Sequence, residues 1–366
     1  MKWTRDARPR RIVVISTGGT IASRWTGSGY AADASGDDVV ATAAVPDNVH
    51  VEVVDLFNVN SSRMTTDRQL ALLRTVHETL ADPGVDGIVV THGTDTLEES
   101  AFFLDLHHAD PRPVVFTGAQ RPFGTGDGDG PGNLYDALQV AATVHGLGVL
   151  VVFDGLVHAA RGTVKTKTLA ADPFADPSGE RLGRLGFGQV DVEREPERPA
   201  PLPLPAEGRA APRVDIVMHH SDGDPVLFEA AVAAGARGIV LVGTGAGNAT
   251  PEMAEAVARA VDQGVHVVLS TRVASGPVAE VYTGGGAVDL AAAGAVLAGT
   301  LRPGQARIAL LAALLADGSS PERRTALLRS LLEGVISAAS VCSVNRSRSV
   351  EASPDRRRRG SSTGPA

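Results

Sequence analysis

The chain has 366 residues, 43% of them hydrophobic and 21% charged, with a net charge of −8 and a single cysteine, Cys342. That supplies a sizeable core and sets a prior of about two domains, while one cysteine excludes an internal disulfide framework and a Cys-rich metal site. No apolar run approaches the roughly 18 residues of a membrane span, and the basic start "MKWTRDARPRR" leads into an apolar run too short for a secretory segment, which predicts a cytoplasmic protein.

The first element is "RIVVIST", four β-branched residues running into Thr17-Gly18-Gly19-Thr20. Glycines let backbone amides approach a ligand closely, so the turn suits a phosphate cradle or a nucleophilic threonine beside an oxyanion hole, and it is also compatible with a plain tight turn. A Walker loop would need Lys-Ser/Thr after the glycines, and a dinucleotide fingerprint would need G-x-G-x-x-G; neither is present. Helix periodicity follows over 67–81. A second strand, "GIVVTHG", then opens the stretch "THGTDTLEESAFFLDL". Here Asp95 to Glu98, or Thr96 to Glu99, predicts a capping box at a helix start. A cap needs one oxygen, and three consecutive oxygen-bearing side chains exceed that need. His92 reads as a packed histidine or, less simply, as a base.

Further buried-type strands are "PVVFTGA", "VLVVFDG", "VDIVMHH", "GIVLVG" and "HVVLS", with helical segments over 133–146, 251–263 and 321–334; the alternation predicts an α/β protein with a parallel sheet. After "VLVVFDG" comes "HAARGTVKTKT". Lys165 and Lys167 are either ordinary surface lysines or, for one of them, a buried lysine beside Asp95 able to help deprotonate Thr94. The six prolines of 193–212 mark a linker. The predicted organisation is a leader over 1–10, an N-terminal domain over 11–192, that linker, a C-terminal domain over 213–334 and a disordered tail over 335–366. Residues 343–366 carry six arginines against Glu351 and Asp355, a solvated +4 segment that does not make a nucleic-acid domain. The ten histidines have no ligand spacing, and the pairs at 107–108 and 219–220 are expected at exposed positions.

"TGGTIAS" and "THGTDTLEESAFFLDL" together resemble the two signature segments of bacterial-type L-asparaginases, the asparaginase/glutaminase family. The resemblance continues in order through "PVVFTGAQRP", "DGPGNLYDAL", "RGTVKTKT", "GTGAGNAT", "STRVASG" and "GTLRPGQARIALLAAL", spanning about 11–334. It implies a two-domain α/β fold, with a larger N-terminal domain of mixed sheet and a smaller flavodoxin-like C-terminal one. It also implies hydrolysis of the side-chain amide of L-asparagine to L-aspartate and ammonia, without metal or organic cofactor. By position, Thr17 corresponds to the nucleophile and Tyr30 to a residue that closes over the substrate. Thr94, Asp95 and Lys165 correspond to a second polar triad, and Glu280 to the carboxylate partner of Tyr30. For substrate binding, Ser61 matches the α-carboxylate site and Asp95 the α-ammonium partner. Asn248 matches a residue supplied by a neighbouring subunit. Ser62 replaces a larger amide side chain of many relatives, which leaves the balance between asparagine and glutamine open. The resemblance further implies a homotetramer built as a dimer of dimers, acting on a small amino-acid amide, with no nucleic-acid or membrane partner.

Two rival readings stand beside it. A glutamine-dependent amidotransferase subunit usually has an additional N-terminal domain, and about ten residues precede the first strand here. A non-catalytic anion-binding protein needs only a backbone nest, so the joint presence of Tyr30, Asp95 and Lys165 argues against it.

Overall fold

The computed structural model describes residues 8–316 and 320–333. The predicted tail over 335–366 lies outside the described residues, as does most of the leader. The first strand, β1 (Arg10–Gly18), is flanked by β2 (Val49–Val59) and β3 (Gly87–Thr91), both parallel to it. Two more parallel strands follow, β4 (Val114–Thr117) and β5 (Val149–Phe153). The sheet then turns antiparallel through β6 (Leu156–Ala159), β7 (Gly183–Gly186) and β8 (Gln189–Val192). The eight-stranded order is β8-β7-β6-β5-β4-β3-β1-β2. The antiparallel edge supplies the mixed character that the run of apolar strands alone did not predict.

The central strands are buried on both faces because their alternate residues enter two cores. Val13 and Ile15 pack with α2 (Thr66–Leu80) and α3 (Leu97–Asp105), through Leu73, Phe102 and Phe103. Ile12 and Val14 face the opposite layer, formed by Val39 of α1 (Gly36–Val40) and Leu134 and Leu138 of α4 (Gly130–Thr143). β2 escaped the sequence reading. As an edge strand it pairs on one side only and stays partly exposed, so it lacks the continuous apolar run of its neighbours.

A second sheet, all parallel, has the order β9 (Val214–Met218), β10 (Gly238–Gly243), β11 (His266–Thr271) and β12 (Val296–Leu297). Helices α5 (Val226–Ala233), α6 (Pro251–Asp262) and α7 (Ala287–Ala292) accompany it. The last described helices are α8 (Pro303–Leu315) and α9 (Pro321–Glu333). From Ile308 to Leu315 every residue of α8 is buried, the pattern of a helix enclosed on all sides. It packs on α3, on α9 and on β9, β10 and β11, so a single continuous core joins Phe102 of α3 and Val151 of the large sheet to Val240 and Val268 of the small one.

The Pro-rich stretch has no regular structure over most of its length, but it is tied to the end of α3. Leu202 N–H donates to Leu106 O at 2.7 Å, and the Arg198 guanidinium meets buried Asp105 at 2.8 Å. This strap corrects the expectation for the histidine pairs. His107, His108 and His219 are buried, with His107 Nδ1 against Pro203 O and His108 Nε2 against Arg112 O, and only His220 is exposed. The His107 and His108 rings each meet a main-chain carbonyl, a pairing invisible to spacing rules.

Burial pushes His107, His108 and His158 down to about 4, from the ordinary 6.5. Between those values the unfolded chain binds more protons than the folded one, so stability falls as pH drops through that window, by about 3 kcal/mol per ring at its lower end. Thermal midpoints measured at pH 7, 5.5 and 4.5 should fall by on the order of 10 °C across the series, and His108→Gln should reduce the fall; a flat midpoint would mean that these rings are charged in the folded protein.

Candidate active site

Strand order reverses at β1: the chain passes from β1 to β2 on one side and then returns to β3 on the other. Such a switch point leaves a crevice outside the carboxyl ends of the two strands. In-register pairing from Ile12–Gly87 to Ser16–Thr91 brings those ends level, so the two signature turns face each other. Thr17 is 1% exposed, and its Oγ1 donates to Thr91 O at 2.9 Å.

The turns meet through glycine. Gly18 and Gly19 have φ of +93° and +86°, the left-handed region that side chains avoid. A Cβ on Gly19 would lie 2.3 Å from Gly93 Cα, and one on Gly18 would lie 2.4 Å from Val59 N. Each glycine therefore answers a different backbone, which explains why the turn needs two.

After β3 come His92, Gly93, Thr94, Asp95 and Thr96, the turn before α3 begins. The predicted capping box is absent. Thr96 is the N-cap but makes no side-chain capping bond; its Oγ1 instead donates to Ser61 O at 2.8 Å. Asp95 N–H donates to Ser61 Oγ at 3.1 Å. Buried Ser61, in the turn after β2, is thus locked to the Thr94–Thr96 turn by two bonds. His92 is fully buried, with Nδ1 against Gly93 O at 2.8 Å and its pKa pushed down to about 4 by desolvation. That describes a neutral packed ring.

Lys165 arrives from the short strand Val164–Lys165, paired antiparallel with Phe174–Ala175. Its Nζ donates to Thr94 Oγ1 at 2.8 Å and meets Asp95 Oδ1 at 3.0 Å. The lysine side chain is 18% exposed and the aspartate 63%, so the cluster has a protected interior and an open outer carboxylate. Lys167, two residues on, lies in a surface ion pair with Asp172. Thr17, Ser61, Thr94, Asp95 and Lys165 are therefore gathered at one crevice. A buried hydroxyl at a strand end, with a lysine–threonine–aspartate cluster on the adjoining turn, has the parts of a nucleophilic site with its own proton-handling group.

Other candidates stand apart from that group. Tyr30 lies on a ribbon, Ser23–Trp25 paired with Tyr30–Ala32, with its ring 5.2 Å from Trp25 and its side chain half exposed. Ser62 is exposed beside Ser61. Glu280 is exposed and makes no hydrogen bond to Tyr30 among the described residues. Asn248 follows β10 in a turn closed by its main-chain bonds to Thr244 at 2.7 and 2.8 Å, and its Oδ1 is buried without a partner among the described residues.

Sequence reading missed two contributors. Glu98, whose spacing suggested a cap, accepts the main-chain N–H of Lys165 through Oε2, and burial pushes its carboxyl up to about 7. Gln305 at the start of α8 is fully buried, accepts from Gly162 N–H at 2.8 Å, and donates to Ala160 O at 2.8 Å and Thr163 O at 2.9 Å. No local signal marks Gln305, since its partners lie about 140 residues earlier. Among the described residues no cluster of three or more His, Cys, Asp or Glu is arranged to hold a metal, and no helix is long and apolar enough to cross a membrane.

Gly19→Ala should cost well over tenfold in turnover, because its methyl would overlap Gly93 and separate the two strand ends. Gly264→Ala is the control: φ is also positive, at +80°, but nothing lies within 4 Å of the new methyl. It should lose about 1 kcal/mol of stability and keep its activity; equal activity losses in the two variants would remove the steric explanation.

Comparisons with known proteins place the chain in a family. Residues 11–198 match the family described as asparaginase, N-terminal, and residues 213–328 match the glutaminase/asparaginase C-terminal domain. The chain is 38% identical over 313 residues to an L-asparaginase of Bacillus licheniformis, covering 84% of this chain and 96% of that one. It is 36% identical over 313 residues to L-asparaginase 2 of Escherichia coli, covering 83% and 88%. A crystal structure described as a "probable cytoplasmic L-asparaginase" from Campylobacter jejuni matches with a TM-score of 0.78 at 31% identity, over 87% of this chain and 99% of that one.

Proposed function

Because the chain belongs to the asparaginase family, we propose that it is an L-asparaginase, an amidohydrolase that converts L-asparagine to L-aspartate and ammonia. The observation that carries the residue roles is Lys165 Nζ at 2.8 Å from Thr94 Oγ1, on the turn next to the strand end bearing Thr17.

In this reading Thr17 Oγ1 attacks the side-chain amide carbon, having given up its bond to Thr91 O. Its proton ends on the departing nitrogen, so ammonia leaves and an acyl ester remains on Thr17. Water then opens the ester and regenerates the hydroxyl. Lys165, held between Thr94 and Asp95, tunes Thr94 Oγ1 for proton transfer on the far side of the amide. Ser61 receives the α-carboxylate, and the exposed Asp95 carboxylate pairs with the α-ammonium. Tyr30 assists Thr17 when the 23–32 ribbon closes over the substrate, with Glu280 as its carboxylate partner. Main-chain N–H groups around the two glycine turns stabilise the oxyanion.

The same reading makes the enzyme cytoplasmic and a homotetramer in which a neighbouring subunit supplies Asn248 to each site. Exposed Ser62 leaves room at the mouth of the crevice, which bears on the choice between asparagine and glutamine.

Ammonia release from asparagine, from glutamine and without substrate tests the activity and its selectivity together. Thr17→Ala should drop turnover below about a tenth of wild type without loss of folding, since it removes the bond-forming atom. Lys165→Met should impair turnover far more than Lys167→Met, whose ammonium pairs with the surface carboxylate of Asp172. Equal effects of the two lysine substitutions would displace Lys165 from its role.

A further inference from the structure

We propose that Glu98 is a positioning residue that sets Lys165 against Thr94 and Asp95. This rests on the reading that Lys165 serves the hydrolysis.

Glu98 sits in the first turn of α3, where a carboxylate ordinarily serves its own helix. Here it does something else: Oε2 accepts the main-chain N–H of Lys165 from the facing strand. Lys165 is therefore attached to the Thr94–Glu98 segment at both ends, its backbone through Glu98 and its ammonium through Thr94 and Asp95. A lysine stem has four rotatable carbons and much rotamer freedom, so fixing its root narrows where Nζ can go. Gln305 completes the frame. Its amide donates to Glu98 O at 3.4 Å and also holds Gly162 N–H, Ala160 O and Thr163 O, on the segment that leads into Lys165.

The charges around Glu98 are Lys165 and Glu99, and Glu99 is turned toward Arg307 at 3.5 Å. Arg307 thus attends to Glu99 and leaves Glu98 to the strand. Burial works against an ionised Glu98, raising its carboxyl to about 7, so a neutral side chain would be the more stable choice. What the glutamate contributes is reach and an acceptor atom at the right place. That separates two roles by substitution. Glu98→Gln keeps the reach and an acceptor oxygen but removes the charge; Glu98→Asp keeps the charge and shortens the reach by one methylene.

The test is kcat and KM for asparagine, with thermal midpoints, for wild type, Glu98→Gln, Glu98→Asp and Lys165→Met. Positioning predicts that Glu98→Asp loses about tenfold or more in kcat with KM within about threefold, because only the placement of a reacting group has changed. Glu98→Gln should stay within about threefold of wild-type kcat, with a thermal midpoint at or above wild type. Wild-type kcat in Glu98→Asp, or a Glu98→Gln no better than Glu98→Asp, overturns the proposal. Lys165→Met tests the underlying reading separately, since unchanged turnover there would remove Lys165 from the reaction whatever the Glu98 variants do.

Discussion

The site depends on a steric constraint between two main chains. A methyl on Gly19 would come within 2.3 Å of Gly93 Cα, and one on Gly93 would come within 2.7 Å of Ser61 Oγ. Because neither residue has a side chain, the ends of β1 and β3 close to backbone contact, and Thr17 and Thr94 come to line one crevice. Ser61 then bridges from the end of β2 to the same turn through Asp95 N–H and Thr96 Oγ1. Three strand ends are thereby fixed to one another by contacts that leave almost no slack, which is what a reaction requiring sub-ångström placement demands.

Behind that contact lies a polar layer that belongs partly to the other half of the chain. Gln305 and Arg307, both on α8, reach the first turn of α3 and the approach to Lys165. The lysine cluster is therefore supported from a helix whose remaining length is apolar and embedded between the two sheets. Buried polar groups are costly unless satisfied, and Gln305 is satisfied at its Oε1 and Nε2 atoms by main-chain partners. Its placement ties the geometry of the crevice to the packing of the helix.

Much of this was legible before any coordinates. The strands at 87–91, 114–117 and 149–153 are unbroken apolar runs because helices cover both faces, and such runs are the plainest signal a sequence carries. The glycines at 18–19 were read as room for a ligand, and what they admit is the main chain of Gly93 and Val59. Edge strand β2 was missed because exposure on one side dilutes its pattern. Glu98 was misread as a cap because its spacing from Asp95 is identical in both roles; what distinguishes them is a partner 67 residues away. Of the buried histidines, His107 was misread for the same kind of reason, its partner being a carbonyl of the Pro-rich strap 96 residues on, while His108 folds back on Arg112 O four residues away. Local rules see the donor and not the acceptor when the two are brought together by the fold. Tyr30, Asn248 and Glu280 became candidates through family resemblance alone. Within one chain Tyr30 leans on Trp25 and Glu280 faces solvent.

The embedding of α8 has a consequence for how the molecule assembles. The helix is last but one among the described helices, yet it fills the space between sheets that begin near residues 10 and 214. When the large sheet is complete at Val192, the helix that covers α3 still lies about 110 residues further along the chain. Contacts of such long sequence separation close slowly, because loop entropy must be overcome before they contribute. Docking of α8 therefore both covers α3 and delivers Gln305 to the segment that leads into Lys165. The same helix thus completes the shared apolar core and the polar frame around Lys165.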